Sequence, residues 1–306
     1  MMAPDDGQQT DRARSTIFSS TRFRCLLLFL ALPFLLGAKN QGVKEHVVCR
    51  DGFLEIVSAE SISIKDCRRL AKTTIDAWNF DMKQMNWRTW KNKNRKLKLR
   101  LLSVKTMEAK HPNTYAFAVS TGDLIVTSTA VLHGRPASVG TLAHELGHIQ
   151  AYRVTGSKRS GKVPAYYWEG HGISMGQSYL KMLGITTPKL NAERTRIVAK
   201  LTTGEARLIL TTNRAYFKGN SQKLFRMEAF GFFFAEYLRV RKGMPIARMG
   251  RVFEQVGHGW TYRQAFKQVY GITINQAISD VIAFMERTKS NPSERFRGTL
   301  LEKEPL

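Results

Sequence analysis

Acidic residues are scarce in this 306-residue chain: 24 Asp and Glu stand against 48 Lys and Arg, a formal net charge of +24. That shortage points away from cationic partners and leaves a field that attracts polyanions. Cysteine is scarcer still, at three residues, and none stands in a C-x-x-C spacing, which argues against a thiolate metal site. Long apolar runs are also missing. The N-terminal run, Cys25 to Ala38, stops at 14 residues, short of the roughly 20 that a membrane-spanning helix needs. No internal repeat is visible.

What is present is His144-Glu145-Leu146-Gly147-His148, an H-E-x-x-H pattern inside a helix-compatible run, Val139 to Tyr152. Residues i and i+4 share one helical face. Both imidazoles can grip one zinc ion while Glu145 stands beside them to handle a proton. Val139, Leu142, Leu146 and Ile149 form an apolar stripe, and Pro136 fits a helix start. The extended pattern H-E-x-x-H-x-x-G-x-x-H is excluded, because Ala151 and Val154 stand where it needs Gly and His. Catalytic zinc takes three protein ligands. Glu169, 21 positions after His148, precedes a second helix-like run ending near Leu183. From such a helix, packed across the first, its carboxylate completes a His, His, Glu set. His171 lies two positions on and turns to another face, as a pocket-wall or surface residue. His111 and His133 read as surface histidines in loops, and His258, in Gly257-His258-Gly259, as a solvated turn residue.

Here the sequence resembles the gluzincin metallopeptidases, the thermolysin-like clan, and more narrowly the peptidase MA-like group, whose second motif reads roughly P-x-W-x-x-E-G-x-A. Pro164, Glu169 and Gly170 match that motif; Tyr166 stands at its Trp, and His171 and Gly172 replace an apolar residue and Ala. The resemblance implies zinc ligands His144, His148 and Glu169, with Glu145 as general base. It implies an oxyanion donor, Tyr or His, from beyond the third ligand; the candidates are Tyr216, Tyr237 and His258, with Tyr237 equally readable as a core aromatic. Thermolysin carries an Asp four residues after its Glu ligand, orienting a zinc histidine. Ile173 stands there in this chain, so another acceptor is required. Relatives receive the substrate backbone on the edge strand before the active-site helix. Strands over 116–120 and 124–128, joined by Thr121-Gly122-Asp123, occupy that place, though a plain hairpin fits the same residues.

Arg12, Arg14, Arg22 and Arg24 precede the 14-residue apolar run, so residues 1–38 read as a signal peptide or an uncleaved N-terminal anchor, and the protein as exported. The leader holds four Arg and three Asp, which leaves +23 on the remainder. In an oxidising space, Cys49 and Cys67 are expected to pair; the alternative is two buried thiols. The cationic surplus includes Lys91, Lys93, Arg95, Lys96, Lys98 and Arg100, and more is spread from Arg194 to Lys242. Expected partners are a peptide or protein substrate and an anionic envelope polymer or membrane surface. Trp87 and Trp90 read as closing the hydrophobic end of a helix, and no nucleic-acid fold signature is present.

Strands are expected at 53–57 and 96–104, the latter alternating basic and apolar residues, and helices at 64–85 and 222–241. An irregular helical region is expected at 184–219, and capping boxes open further helices at Thr261-Gln264 and Thr273-Gln276. The expected fold class is α+β and zincin-like: a small mixed sheet with an antiparallel hairpin packed on the motif helix, then a helical C-terminal subdomain. The expected divisions are leader 1–38, peptidase domain 39–288 (sheet and zinc helices 39–183, helical part 184–288) and a flexible tail 289–306. The function expected is zinc-dependent peptide hydrolysis with one Zn2+. Two alternatives stand beside it: a non-catalytic zincin-fold protein that holds a polyanion through its basic surface, and a hydrolase of a non-peptide amide or ester.

Overall fold

The computed structural model describes residues 45–87, 95–111, 114–119, 123–212, 217 and 220–290. The leader expected over 1–38 lies outside them, as do Trp90, Lys91, Lys93 and most of the expected tail. The fold is mixed α+β, with one five-stranded sheet and eleven helices among the described residues.

The sheet comprises β1 (His46–Asp51), β2 (Leu54–Ser58), β3 (Leu97–Leu102), β4 (Ala116–Ala118) and β5 (Leu124–Ser128), in the order β1-β2-β3-β5-β4. β2, β3 and β5 run parallel, and β1 and β4 are antiparallel edges. In β3 the alternation decides the faces: Leu97, Leu99 and Leu101 are buried while Lys98 is exposed. Lys98 and Arg100 reach Glu55 and Glu45, at 3.8 and 2.9 Å, so part of the basic run is neutralised locally. β1 was not anticipated. Its residues are exposed apart from the half-buried Val48 and Cys49, and its register shifts between Val47 and Cys49, which erases the period-two signal. A disulfide joins Cys49 on β1 to Cys67 on α1 (Ile64–Gln84) and ties this edge to the helix behind it. Ser63 caps α1 by accepting from the amide of Asp66.

A short helix, α2 (Val104–Lys110), follows β3; at seven residues with one buried side chain it has too little periodicity to be read. The expected strand 116–120 is shorter, three residues, and residues 120–122 lie outside the described ones. A 3-10 turn (Thr129–His133) then leads into α3 (Pro136–Thr155), with Pro136 in its first turn. The sequence suggests one apolar face on α3. Instead Ser138 to Ala151 are all buried, because α3 packs on α1, α5 and α9 and against β4 and β5. α4 (Ser157–Ser160) is a single turn before α5 (Ala165–Met182).

α5 lies between α3 and α8 (Ser221–Glu236), and glycines set the spacing. A Cβ on Gly170 would stand 2.3 Å from the carbonyl oxygen of Gly231, and one on Gly176 would stand 2.5 Å from that of Gly140. Neither contact tolerates a side chain, so these residues let the three helices approach backbone to backbone. On its other faces α8 buries Phe230, Phe232, Phe233 and Phe234. The chain continues through a π-helical turn (Tyr237–Arg241) and stops at Gly243, whose φ is +61°.

Within the region read as irregular, the described residues include two regular helices, α6 (Pro188–Lys200) and α7 (Thr203–Thr211). Pro188 opens the first, and a Thr202–Glu205 capping box opens the second, so the start signals were present. Three helices close the fold: α9 (Ala247–Gly257), α10 (Tyr262–Tyr270) and α11 (Ile274–Ser290). The boxes at Thr261-Gln264 and Thr273-Gln276 are both formed.

Candidate metal centre

α3 carries His144, Glu145 and His148, and the i, i+4 spacing brings the two imidazoles together with Nε2 atoms 2.7 Å apart. Glu169, in the second turn of α5, turns inward. Its Oε2 lies 3.5 Å from Nε2 of His144 and 3.5 Å from Nε2 of His148. Ligands on a tetrahedral zinc with bonds of about 2.0–2.1 Å lie roughly 3.3 Å from one another. The two carboxylate distances match that spacing, and the imidazoles need to part by about half an ångström to reach it. His144 is 4% exposed and His148 and Glu169 are fully buried, as a closed donor set requires.

Glu145 also belongs to the cluster: its candidate ligand atom and those of His144 and His148 all lie within 4.8 Å of one another. Two observations favour Glu169 over Glu145 as the third donor. One oxygen of Glu169 is equidistant from both ring nitrogens, whereas Glu145 Oε1 lies 3.9 Å from His144 Nε2. The other oxygen of Glu145 is engaged, accepting the amide N–H of Ala118 on β4 at 2.8 Å. The carboxylate therefore bridges the His144–His148 pair and the edge strand of the sheet.

Burial, then the neighbouring His148, depress His144 to about 4, with Glu169 pulling the other way and Arg194 adding to the depression. A neutral imidazole with its lone pair available is the form that binds a metal. For Glu169 burial favours the neutral acid, but the two imidazoles 3.5 Å from its Oε2 outweigh it and hold the carboxyl well below its usual range. Gly172, one turn after Glu169, completes the cradle. A Cβ there would stand 2.8 Å from Nε2 and Cε1 of His148 and 3.0 Å from Cδ2 of His144.

The orienting acceptor missing at Ile173 is not supplied elsewhere for His148, whose Nδ1 has no hydrogen-bond partner among the described residues. Packing holds that ring instead, with Trp168 at 6.0 Å between centroids and Gly172 beneath it. His171 is neither pocket wall nor surface. It is fully buried against Phe253 at 5.1 Å and Trp87 at 6.0 Å, because α9 and the end of α1 cover that face of α5. Burial, then His148 and His144, push its imidazole well below the ordinary value. His111 is half-buried against Phe117, at 4.6 Å, and His133 is exposed.

A cavity of about 550 Å³ opens beside His144, walled by the start of α3, α5, α6 and α8; Tyr115, Thr141, Ile173, Arg194, Phe225 and Glu228 are among its lining residues. Neither Tyr237 nor His258, the two oxyanion candidates among the described residues, is in its lining. Tyr216 lies outside the described residues. Tyr237 is buried against Phe284 at 5.3 Å, held by the π-helical turn, and His258 is exposed at the end of α9. Arg194, read from the sequence as part of the surface charge, is instead 7% exposed. A signal for this existed: Leu190, Arg194 and Val198 recur every four residues, which puts Arg194 on the inward stripe of α6. Leu224, Glu228 and Phe232 do the same on α8. No family model matches this chain, and no curated protein matches it.

Proposed function

We propose that this chain is an exported zinc-dependent peptidase of gluzincin-like plan, with His144, His148 and Glu169 as ligands and Glu145 as general base. The observation that carries the reading is the convergence of three buried donor atoms from two helices, with Glu169 Oε2 3.5 Å from each ring nitrogen. The neutral, desolvated imidazole of His144 and the Gly172 cradle support it, as does the antiparallel edge strand β4 beside the motif helix.

Bound zinc supplies Lewis acidity towards water and towards a carbonyl oxygen. The remaining steps belong to the chain. Ala118 holds Glu145 through its Oε2, so the Oε1 side faces the cluster. There Glu145 takes the proton of the attacking water and returns it to the leaving amine. The open side of β4 aligns the substrate backbone by strand addition, and the buried walls exclude bulk water.

The test pairs zinc content with cleavage. Wild type and Glu145→Gln are expected to bind one zinc each, and only wild type to cleave an unstructured protein such as casein. Equal cleavage by both would refute the mechanism. Zinc without cleavage, with retention on an anionic polymer, would transfer the assignment to a polyanion-holding protein, a reading that the +24 charge favours.

A further inference from the structure

The end of α5 carries a surface that the metal centre does not use. The helix stops in a tight, fully bonded turn. The amide of Ile185 reaches back to the carbonyl of Leu180 at 2.9 Å, that of Gly184 reaches Lys181 at 3.0 Å, and Gly184 has φ +70°. Such a turn ordinarily packs one apolar pair, the residue after the glycine and one in the last helical turn. Here Leu180 is buried and Ile185 packs on the core, so that role is filled. Met182 and Leu183 stand between those two, 52% and 44% exposed. The other exposed large apolar residues among the described ones stand singly, as is ordinary on a protein surface. This pair is adjacent, and the bonded turn fixes it as a tip.

Cations lie around the tip. Leu180 and Thr186, on either side of it in sequence, line the same cavity as the exposed Arg135 and Lys189. Lys189 also begins a stripe on α6. Lys189, Arg196 and Lys200 recur at i, i+7 and i+11 and are exposed, while Arg194 and Val198 on the opposite face are buried. Glu193 is the one acidic residue of α6, 4.0 Å from Arg196.

We propose that this face docks the protein on an anionic lipid bilayer, with Met182 and Leu183 entering the acyl boundary and Arg135, Lys189, Arg196 and Lys200 held against the headgroups. Charge alone would suit any polyanion. A soluble polyanion leaves the Met–Leu pair in water, whereas a bilayer surface, anionic outside and apolar beneath, accepts both features at once. Each Lys or Arg brought to such a surface contributes roughly fivefold in affinity, and burying the apolar pair contributes roughly tenfold or more. Arg135, Thr186 and Lys189 belong both to this face and to the cavity lining, so docking brings the cavity mouth beside His144 to the bilayer. The inference needs no metal and stands apart from the peptidase reading.

An apolar run such as 25–38 can bind lipid by itself, so the experiment reads insertion locally. In full-length Cys25→Ser protein, which keeps only the disulfide pair, Met182→Cys carries an environment-sensitive NBD dye. Leu208→Cys, on α7 and 40% exposed in the native chain, carries it in the control. On vesicles of phosphatidylglycerol and phosphatidylcholine in equal parts, the dye at 182 is expected to shift to the blue, brighten severalfold and be quenched by spin-labelled lipid. The dye at 208 is expected to stay unchanged, and phosphatidylcholine alone to move neither. Lys189→Gln with Arg196→Gln should weaken the insertion read at 182 roughly 25-fold, and Leu183→Ser roughly tenfold. No change at 182, an equal change at 182 and 208, or an equal change on phosphatidylcholine alone would overturn the proposal. So would the same change with heparin in place of vesicles, which would identify a soluble polyanion as the partner. Cleavage of casein, present or absent, bears on the metal centre alone.

Discussion

Gly172→Ala is the most discriminating single change at the candidate metal centre, because it adds one methyl group at a place where structure and sequence pattern disagree. The motif that residues 164–172 resemble ends in Ala; this chain has Gly. An added Cβ would stand 2.8 Å from two atoms of the His148 ring and 3.0 Å from Cδ2 of His144. Comfortable contact between such atoms is about 3.5–4.0 Å. Both rings must therefore retreat by roughly 0.5–1 Å, or α5 must move off α3. Retreat of α5 is blocked on its other side, where Gly170 already meets the carbonyl of Gly231.

Overpacking of this kind costs about 1–3 kcal/mol, and the better helix propensity of Ala returns about 0.8–1 kcal/mol. The metal-free fold should thus lose roughly 0–2 kcal/mol. Zinc affinity should fall further. Metal–ligand distances tolerate about 0.2 Å, and disturbing the support of a ligand typically costs ~10–100-fold in affinity, or about 1.4–2.7 kcal/mol. Competition against a chromophoric chelator reads the affinity, and melting with and without zinc reads the coupling. Gly204→Ala is the control: Gly204 is in the first turn of α7, and the nearest atom to its added Cβ is Thr202 Oγ1 at 4.0 Å. It should leave zinc binding unchanged and stabilise slightly. If Gly172→Ala binds zinc within threefold of wild type and melts alike, the inferred closeness of α5 to the two imidazoles is wrong.

Two other perturbations test the frame around the site. The Cys49–Cys67 disulfide closes a loop of 18 residues, which corresponds to about 3 kcal/mol of stabilisation. Reduction, or Cys49→Ala with Cys67→Ala, should lower the melting temperature by several degrees; an unchanged melt would mean that α1 holds β1 unaided. Asp81 is fully buried on α1, neither of its oxygens has a hydrogen-bond partner among the described residues, and burial raises its carboxyl well above 3.8. The unfolded chain ionises it near 3.8 while the folded chain resists, so stability falls as pH climbs from 3.8 towards the raised value. Asp81→Asn should match wild type below that window and melt higher at pH 7, a gain that calorimetry across pH would detect; equal melting at pH 7 would show that Asp81 has a compensating partner.

Much of the frame was legible because its signals are local. α1 has a capping serine and a long apolar period, β3 alternates charge with leucine, and α10 and α11 open with boxes whose bonds are formed. β1 and α2 were not legible: the first is a mostly exposed, bulged edge and the second is too short. α9 lacks a side-chain cap, but Met249, Val252, Phe253 and Val256 recur at helical spacing, a signal that was missed. The meeting of His144 with His148 follows from helical spacing alone; Glu169 was singled out by its place 21 positions on, ahead of a helix-like run, and the helix in fact begins at Ala165 and contains it. Arg194 and His171 were misread for one shared reason. Polar residues are mostly exposed: Arg194 reads with the surface charge, and the face to which His171 turns reads as pocket wall or surface. Arg194 lies on the stripe of Leu190 and Val198, and His171 on the face that Phe253 and Trp87 cover.

The burial of α3 on every side bears on what the centre is for. A helix enclosed by α1, α5, α9 and the sheet could have been wholly apolar, and desolvating two imidazoles and two carboxylates inside it is unfavourable unless they are matched. Local choices in a folded protein normally agree with the global fold, and conflicts cluster where function demands them. The conflict here is concentrated: four ionisable groups within two turns of α3 and one of α5, with Gly172 opposite the rings. Their geometry satisfies one another only in part, since the two ring nitrogens face each other at 2.7 Å and neutral imidazoles share at most one proton across that gap. A divalent cation between these atoms would convert that mutual crowding into coordination, and that makes metal binding the most economical account of why these residues occupy the core.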